Sequence, residues 1–230
     1  MGDRVRRSET RPPPPRRSRQ PATRRTLTTL LFLLPFGTSG LPLIAPVTSD
    51  SVRVVFETDL GSFELEIDVD RAPVTAANFL RYVDDGQYEG GSFYRTVHAD
   101  NQPDDPIRIA VIQAGRNRDA AIPAFPPIDL ERTSETGITH RDGTISMARA
   151  GPGTATHSFF ICIGDQPSLD YGGMRNADGQ GFAAFGRVVA GMEVVRAIHA
   201  APYEGQRLTP AVGILRAYRR TGPTSQAGRA

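Results

Sequence analysis

The only serine that stands beside a histidine in this chain is Ser158, which follows His157 and precedes the apolar run Phe159-Phe160-Ile161. Successive residues of a strand point to opposite faces, so the two are not expected to act as nucleophile and base. The other histidines, His98, His140 and His199, are scattered; His98 with Asp100 and His140 with Asp142 read as solvated polar pairs in loops, without the spacing of metal ligands. Gly151-Pro152-Gly153 lacks the third glycine of a dinucleotide fingerprint. The sequence contains no lysine, which excludes Schiff-base chemistry and a Walker P-loop. Cys162 is the single cysteine, so neither an intramolecular disulfide nor a thiolate-rich zinc site can form. No cofactor and no metal are expected.

Charge divides the chain unevenly. Its 230 residues carry a formal net charge of +2, but residues 1–25 hold nine arginines against Asp3 and Glu9. The remaining 205 residues have eighteen arginines against twenty-three acidic side chains, a net of −5. The basic character belongs to the tail, and a nucleic-acid-binding domain is not expected. Residues 1–25, rich in Arg, Pro and Ser, lack apolar side chains to offset the entropy of ordering and are read as a disordered tail. Arg24-Arg25, the apolar stretch from Leu27 to Phe36 and the small residues Gly37 to Gly40 have the layout of a secretory signal. Segment 26–47 is therefore expected to direct export, to the periplasm or beyond. The alternative is an uncleaved membrane anchor, which Pro35, Pro42 and Pro46 weaken. Residues 48–222 form the globular domain, and 223–230 a second disordered tail.

Hydrophobic spacing gives the elements of that domain. Val52, Val54 and Phe56, then Phe63, Leu65 and Ile67, alternate with polar residues on either side of Asp59-Leu60-Gly61, the pattern of an antiparallel hairpin. From Ala72 to Gly86 the spacing becomes helical, with Ala76, Phe79, Leu80 and Val83 on one face, Thr75 as N-cap and Gly86 as stop. A second helix fits Met192 to His199. Short β-prone runs occupy 91–97, 109–113, 143–148, 158–163, 183–189 and 211–218. About eight strands and two helices suggest a barrel or sandwich.

Five blocks then carry a resemblance: Phe93-Tyr94-Arg95, Val111 to Gly115, Gly143 to Ala150, Ser158 to Cys162, and Phe185 to Met192, preceded by the Asn78-Phe79 pair on the first helix. In this order they resemble the successive motifs of a cyclophilin-type peptidyl-prolyl cis-trans isomerase of the bacterial exported kind, from about Val52 to Tyr218. The resemblance implies a mainly β fold, a closed eight-stranded antiparallel barrel capped by two α-helices, and a cofactor-free isomerase of X-Pro bonds acting in protein folding. It implies proline-containing unfolded or extended polypeptides as partners, a monomer, no nucleic acid, and membrane contact only if the N-terminal segment is retained.

The same resemblance implies roles. Arg95 takes the position of the catalytic arginine, Phe160 the base of the proline pocket, and Gln113 the amide that bonds the substrate backbone. Val111 and Leu169 are its apolar walls, Phe182 lies beside them, and Ala148 and Arg149 offer a main-chain edge to an extended peptide. By residue type alone Arg95 reads as a surface strand residue, Phe160 as core and Gln113 as a loop amide. Several positions depart from the pattern. Ala110, Ser158 and Ser168 stand where aromatic or amide side chains are usual, and an extra loop spans His98 to Arg108. They leave open a rival reading, a cyclophilin-like peptide-binding module of weak catalysis.

Overall fold

The computed structural model describes residues 51–117 and 122–220. The expected N-terminal tail, signal-like segment and C-terminal tail lie outside the described residues. Strands β1 (Ser51–Thr58) and β2 (Gly61–Asp68) form the hairpin, with Phe56 opposite Phe63. Val54, Phe56, Leu65 and Ile67 point inward and are fully buried, while Arg53 and Glu66 meet on the outer face at 2.8 Å. Next to β2 come, in spatial order, β7 (Ala183–Ala190), β5 (Thr144–Met147), β6 (Phe159–Cys162), β4 (Val111–Gly115), β3 (Ser92–Val97) and β9 (Arg207–Arg219). Strand β9 returns to pair with β1, closing an eight-stranded antiparallel barrel as expected. A two-residue strand, β8 (Tyr203–Glu204), is added against the start of β9.

Among the described residues three α-helices accompany the barrel, one more than expected. Helix α1 (Pro73–Asp84) lies against β2, β7 and β9, and α3 (Met192–His199) against β2, β3 and β4. The extra helix, α2 (Thr133–Thr136), is a single turn too short to show a helical period, closed by Gly137 in the left-handed region. Thr75 does not cap α1. The helix starts two residues earlier, at Pro73, whose missing N–H suits a first turn. The free N–H groups of Val74 and Thr75 instead donate to the Glu131 carboxylate at 3.0 and 2.8 Å. A distant acidic side chain thus replaces a local cap, a substitution that local spacing cannot reveal. Gly86, at φ +65°, ends the helix as expected.

The barrel interior is aromatic. Phe56, Phe63, Phe79, Tyr88, Phe93, Phe159 and Phe185 are buried with ring centroids 5.0–6.1 Å apart, in stacked, tilted and edge-to-face pairs. Strand alternation builds a second, smaller apolar cluster on the outer face. Phe159 and Ile161 of β6 face inward, whereas Phe160 and Cys162 join Val97, Val111 and Leu169 outside.

His98 is not the solvated loop histidine expected; it packs against His199, the last residue of α3. Their rings stack at 3.7 Å, and Tyr203 also stacks on His98 at 4.8 Å. His199 Nε2 lies 3.0 Å from the Val97 carbonyl, and burial, aided by repulsion from His98, lowers the His199 pKa. A histidine that resists protonation when folded binds fewer protons than in the unfolded chain, so its contribution is complete above the unfolded value, about 6.5, and is lost as the pH falls through the lowered one. We expect the urea midpoint to fall between pH 7.5 and 5.5, above the titration of ordinary carboxylates. In His199→Gln that fall should be visibly smaller; an unchanged slope would remove His199 as its source.

Candidate active site

The site is built by a break in the alternation of β3. Phe93 pairs with Ala114 and Arg95 with Gln113, so Tyr94 is an extra residue, a β-bulge. Without it, Arg95 would follow Phe93 into the barrel. With it, Arg95 lies on the outer face opposite Gln113, Thr96 turns inward to donate to the His199 carbonyl at 2.9 Å, and Val97 joins the outer cluster.

Around Arg95 a cavity of about 200 Å³ opens on this outer face. Its lining contains all eight residues singled out from the sequence: Arg95, Gln113, Phe160, Val111, Ala148, Arg149, Leu169 and Phe182. Phe160 is 5% exposed, edge-to-face with Phe182 at 5.2 Å and stacked on His140 at 5.9 Å. The Arg95 guanidinium is held from two sides. One Nη1 hydrogen goes to Gln113 Oε1 at 2.8 Å, while Nε and Nη2 donate to Gln206 Oε1 at 2.9 and 2.6 Å. Gln113 donates in turn to the Tyr94 hydroxyl at 2.9 Å, and Gln206 to the Asn101 carbonyl at 3.0 Å. Two of the five guanidinium hydrogens are left for a ligand. Burial, then the neighbouring Arg175 charge, lower the Arg95 pKa.

Sequence reasoning missed several members of the site. Ile109, Arg175 and Asn176 also line the cavity, whereas Ala110 and Ser168 do not. Arg175 is tied to Asp105 and to the Ile107 carbonyl, so the extra loop 98–108 anchors one wall. The loop is held by Gln102, 2% exposed, which bonds the His98 and Ile109 carbonyls. Arg149 braces the opposite wall: it donates to the Gly181 carbonyl and grips Asp178 through both terminal nitrogens at 2.7 and 2.9 Å, holding that carboxyl down at about 2. Ile109 sits at the edge of a β-prone run and was readable; Arg175 and Gln206 come from distant loops and left no local signal.

His140 is buried, 1% exposed, and not paired with Asp142 in solvent. Its Nδ1 lies 2.7 Å from Asp170 and its Nε2 2.9 Å from the Ser146 hydroxyl. These are the residue types of an acyl-transfer triad, but Ser146 is fully buried behind Phe160 and no acyl group can reach it. The three act as a polar support under the aromatic floor. Asp142 pairs instead with Arg196 at 2.6 Å. His157 and Ser158 also depart from expectation. They precede β6, where alternation does not apply, and Ser158 Oγ meets His157 Nδ1 at 3.3 Å. The same hydroxyl lies 3.3 Å from Tyr94, so the contact belongs to the scaffold behind Gln113.

The site has an immobilised cationic donor beside a small cavity with polar walls and an apolar patch of Phe160, Val111 and Leu169, an arrangement suited to a ring-sized apolar group next to an amide. Residues 53–219 match the family described as "Cyclophilin type peptidyl-prolyl cis-trans isomerase/CLD". Peptidyl-prolyl cis-trans isomerase A of Dickeya dadantii (strain 3937) is 34% identical over 192 residues, covering 80% of this chain and 90% of that protein. Peptidyl-prolyl cis-trans isomerase B of Escherichia coli (strain K12) is 30% identical over 143 residues, 62% of this chain and 80% of that protein. The fold is shared with a cyclophilin type peptidyl-prolyl cis-trans isomerase of Cryptosporidium parvum, at a TM-score of 0.60, 20% identity, and coverage of 75% of this chain and 99% of that one. A match that runs from β1 to β9, and relatives aligned over most of their own length, make this chain a member of the cyclophilin-type peptidyl-prolyl cis-trans isomerase family, an enzyme that accelerates rotation about X-Pro bonds.

Proposed function

We propose that Arg95 is the catalytic group, that Phe160, Val111 and Leu169 hold the proline ring, and that the enzyme works outside the cytoplasm on extended, proline-containing polypeptides. The observation that carries this reading is the doubly held guanidinium with two spare N–H groups at the mouth of a cavity floored by Phe160. An X-Pro amide rotates across a barrier of about 18–20 kcal/mol, because resonance gives its C–N bond partial double-bond character. As the bond twists, the prolyl nitrogen becomes pyramidal and regains a lone pair. A donor already in place for that lone pair stabilises the twisted state more than either planar isomer. Lowering the barrier by about 4 kcal/mol gives a thousandfold acceleration, and no covalent intermediate is required.

Gln113 positions the guanidinium and offers its amide to the substrate backbone. Ala148 and Arg149, just beyond the end of β5, supply the main-chain edge against which an extended peptide can pair regardless of its sequence. The Cryptosporidium parvum relative was also crystallised in the presence of the dipeptide Ala-Pro, which supports proline-containing peptides as the substrate class here. Export rests on Arg24-Arg25 followed by the apolar segment. Among the described residues no helix is long and apolar enough to cross a membrane.

Protein beginning near Leu41 is expected to speed cis/trans exchange of a short X-Pro peptide in line-shape or exchange NMR, in buffer containing chelator and no nucleotide. Exchange at the uncatalysed rate would leave a peptide-binding module, the rival reading drawn from Ala110, Ser158 and Ser168. Mass spectrometry of the natural protein should find a mature chain lacking residues 1 to about 40 outside the cytoplasm; an intact tail in the soluble cytoplasmic fraction would overturn export.

A further inference from the structure

A second and larger concavity, about 740 Å³, adjoins the catalytic cavity and shares Arg95 with it. Besides Arg95 it is lined by Arg116 and Arg207, together with Tyr94, Asn117 and Gln206, and among the described residues no acidic side chain is part of it. This concentration of unneutralised charge is unusual for the molecule. Of the sixteen arginines among the described residues, eleven are ion-paired with a carboxylate. Three of the five that are not paired with a carboxylate in this way surround this one groove. Arg116 adds a buried Nε without a hydrogen-bond partner, while its Nη1 donates to the Ile122 carbonyl at 2.5 Å. The groove is a cationic recess in a part of the chain that is otherwise net acidic.

We infer that this groove selects substrates: it receives an acidic stretch of the same polypeptide whose proline occupies the cavity beside Phe160. The inference rests on the proposed placement of the proline next to Arg95. Because Arg95 belongs to both concavities, a chain leaving the cavity on that side passes directly into the groove. Carboxylates within a few residues of the proline would then face Arg207 at the open end and Arg116 deeper in. Guanidinium groups suit carboxylates because their paired N–H groups match the two oxygens. The chain's own Arg-rich tail has the wrong sign to fill the groove, and a polypeptide is favoured over nucleic acid because the groove continues a site shaped for an X-Pro amide. Attraction at partly exposed guanidinium groups is modest and screened by salt.

The test compares three peptides around one Ala-Pro core, flanked by Glu, Gln or Lys. For the wild-type protein at low ionic strength, kcat/KM should be about fivefold higher for the Glu peptide than for the Gln peptide, with the preference shrinking toward unity in 0.5 M NaCl. Arg207→Gln, an exposed change with no packing to lose, should reduce the preference while leaving turnover of the Gln peptide unchanged. Arg207→Glu should move the preference toward the Lys peptide. Arg116→Gln should weaken the preference as well, and a folded Arg207 variant keeps the test informative if that protein is unstable. Equal kcat/KM for the Glu and Gln peptides, with both turned over normally, would overturn the groove assignment and leave the isomerase reading intact. No turnover of any peptide would instead overturn the reading on which it rests. A short single-stranded RNA that displaces the Glu peptide more strongly than a free acidic peptide of equal charge would show that the groove serves nucleic acid, and would also overturn the inference.

Discussion

Replacing Arg95 by alanine should lower kcat/KM for an X-Pro peptide by about a hundred- to a thousandfold, the cost of deleting a preorganised donor aimed at charge that develops only in the transition state. Stability should change little. Arg95 lies in a cavity open to water, and the amides of Gln113 and Gln206 that it leaves behind can be solvated there. Arg95→Lys is not expected to rescue the activity. Three of the guanidinium's nitrogens are engaged with fixed partners, and a lysine has one nitrogen with which to replace both the anchoring bonds and the donor. Exchange NMR on a short peptide, with a urea titration of the same samples, separates the two effects. Turnover of Arg95→Ala at the wild-type rate would remove Arg95 from the mechanism.

The second large effect is a contrast between neighbours. Phe159 and Phe160 are adjacent on β6, yet one closes the barrel interior and the other floors the cavity. Phe159 is fully buried and makes ring contacts with Phe56, Phe79, Tyr88 and Phe93. Phe159→Ala should therefore cost about 3–5 kcal/mol of stability, a large share of the total of about 5–15 kcal/mol for such a domain. Activity per folded molecule should be nearly retained. Phe160→Ala should reverse the pattern: a smaller loss of stability, because the ring already borders solvent, and a fall in kcat/KM of more than tenfold as the proline loses its apolar floor. Denaturation midpoints and rates normalised to the folded fraction decide the matter. Equal loss of activity in both variants would mean that Phe160 is simply core.

The parts of this structure that follow from local periodicity were readable from the residues. The β1–β2 hairpin, the span of α3 and the Gly86 stop depend on alternation, helical spacing and one glycine's conformation, all of which act over a few residues. The bulge at Tyr94 is different. Strict alternation along Phe93-Tyr94-Arg95 puts Arg95 on the same face as Phe93, and only the ordered family blocks placed it in a site. The residues that escaped notice, Gln206, Arg175 and the His140–Asp170–Ser146 support, are joined to the site by tertiary contacts between separate loops and strands. Glu131 capping α1 is the same kind of case. Where a polar partner is more than fifty residues away, spacing carries no trace of it.

The return of β9 to β1 has a consequence for the proposed action on extended chains. An open sheet ends in a row of unpaired N–H and C=O groups, to which any unfolded segment can add as a further strand. Such addition is indiscriminate, releases slowly and seeds aggregation, so a catalyst that repeatedly meets unfolded polypeptide would be at risk of capture by its own clients. Here the sheet closes on itself, and the strand added outside the ring, Tyr203–Glu204, is only two residues long. The proposed reading places main-chain pairing at the short stretch after β5, Ala148 and Arg149, beside the cavity, where the Ala148 N–H already donates to the Ser158 carbonyl. On that reading, closure confines sticky backbone to the place where a chain would be held briefly and let go.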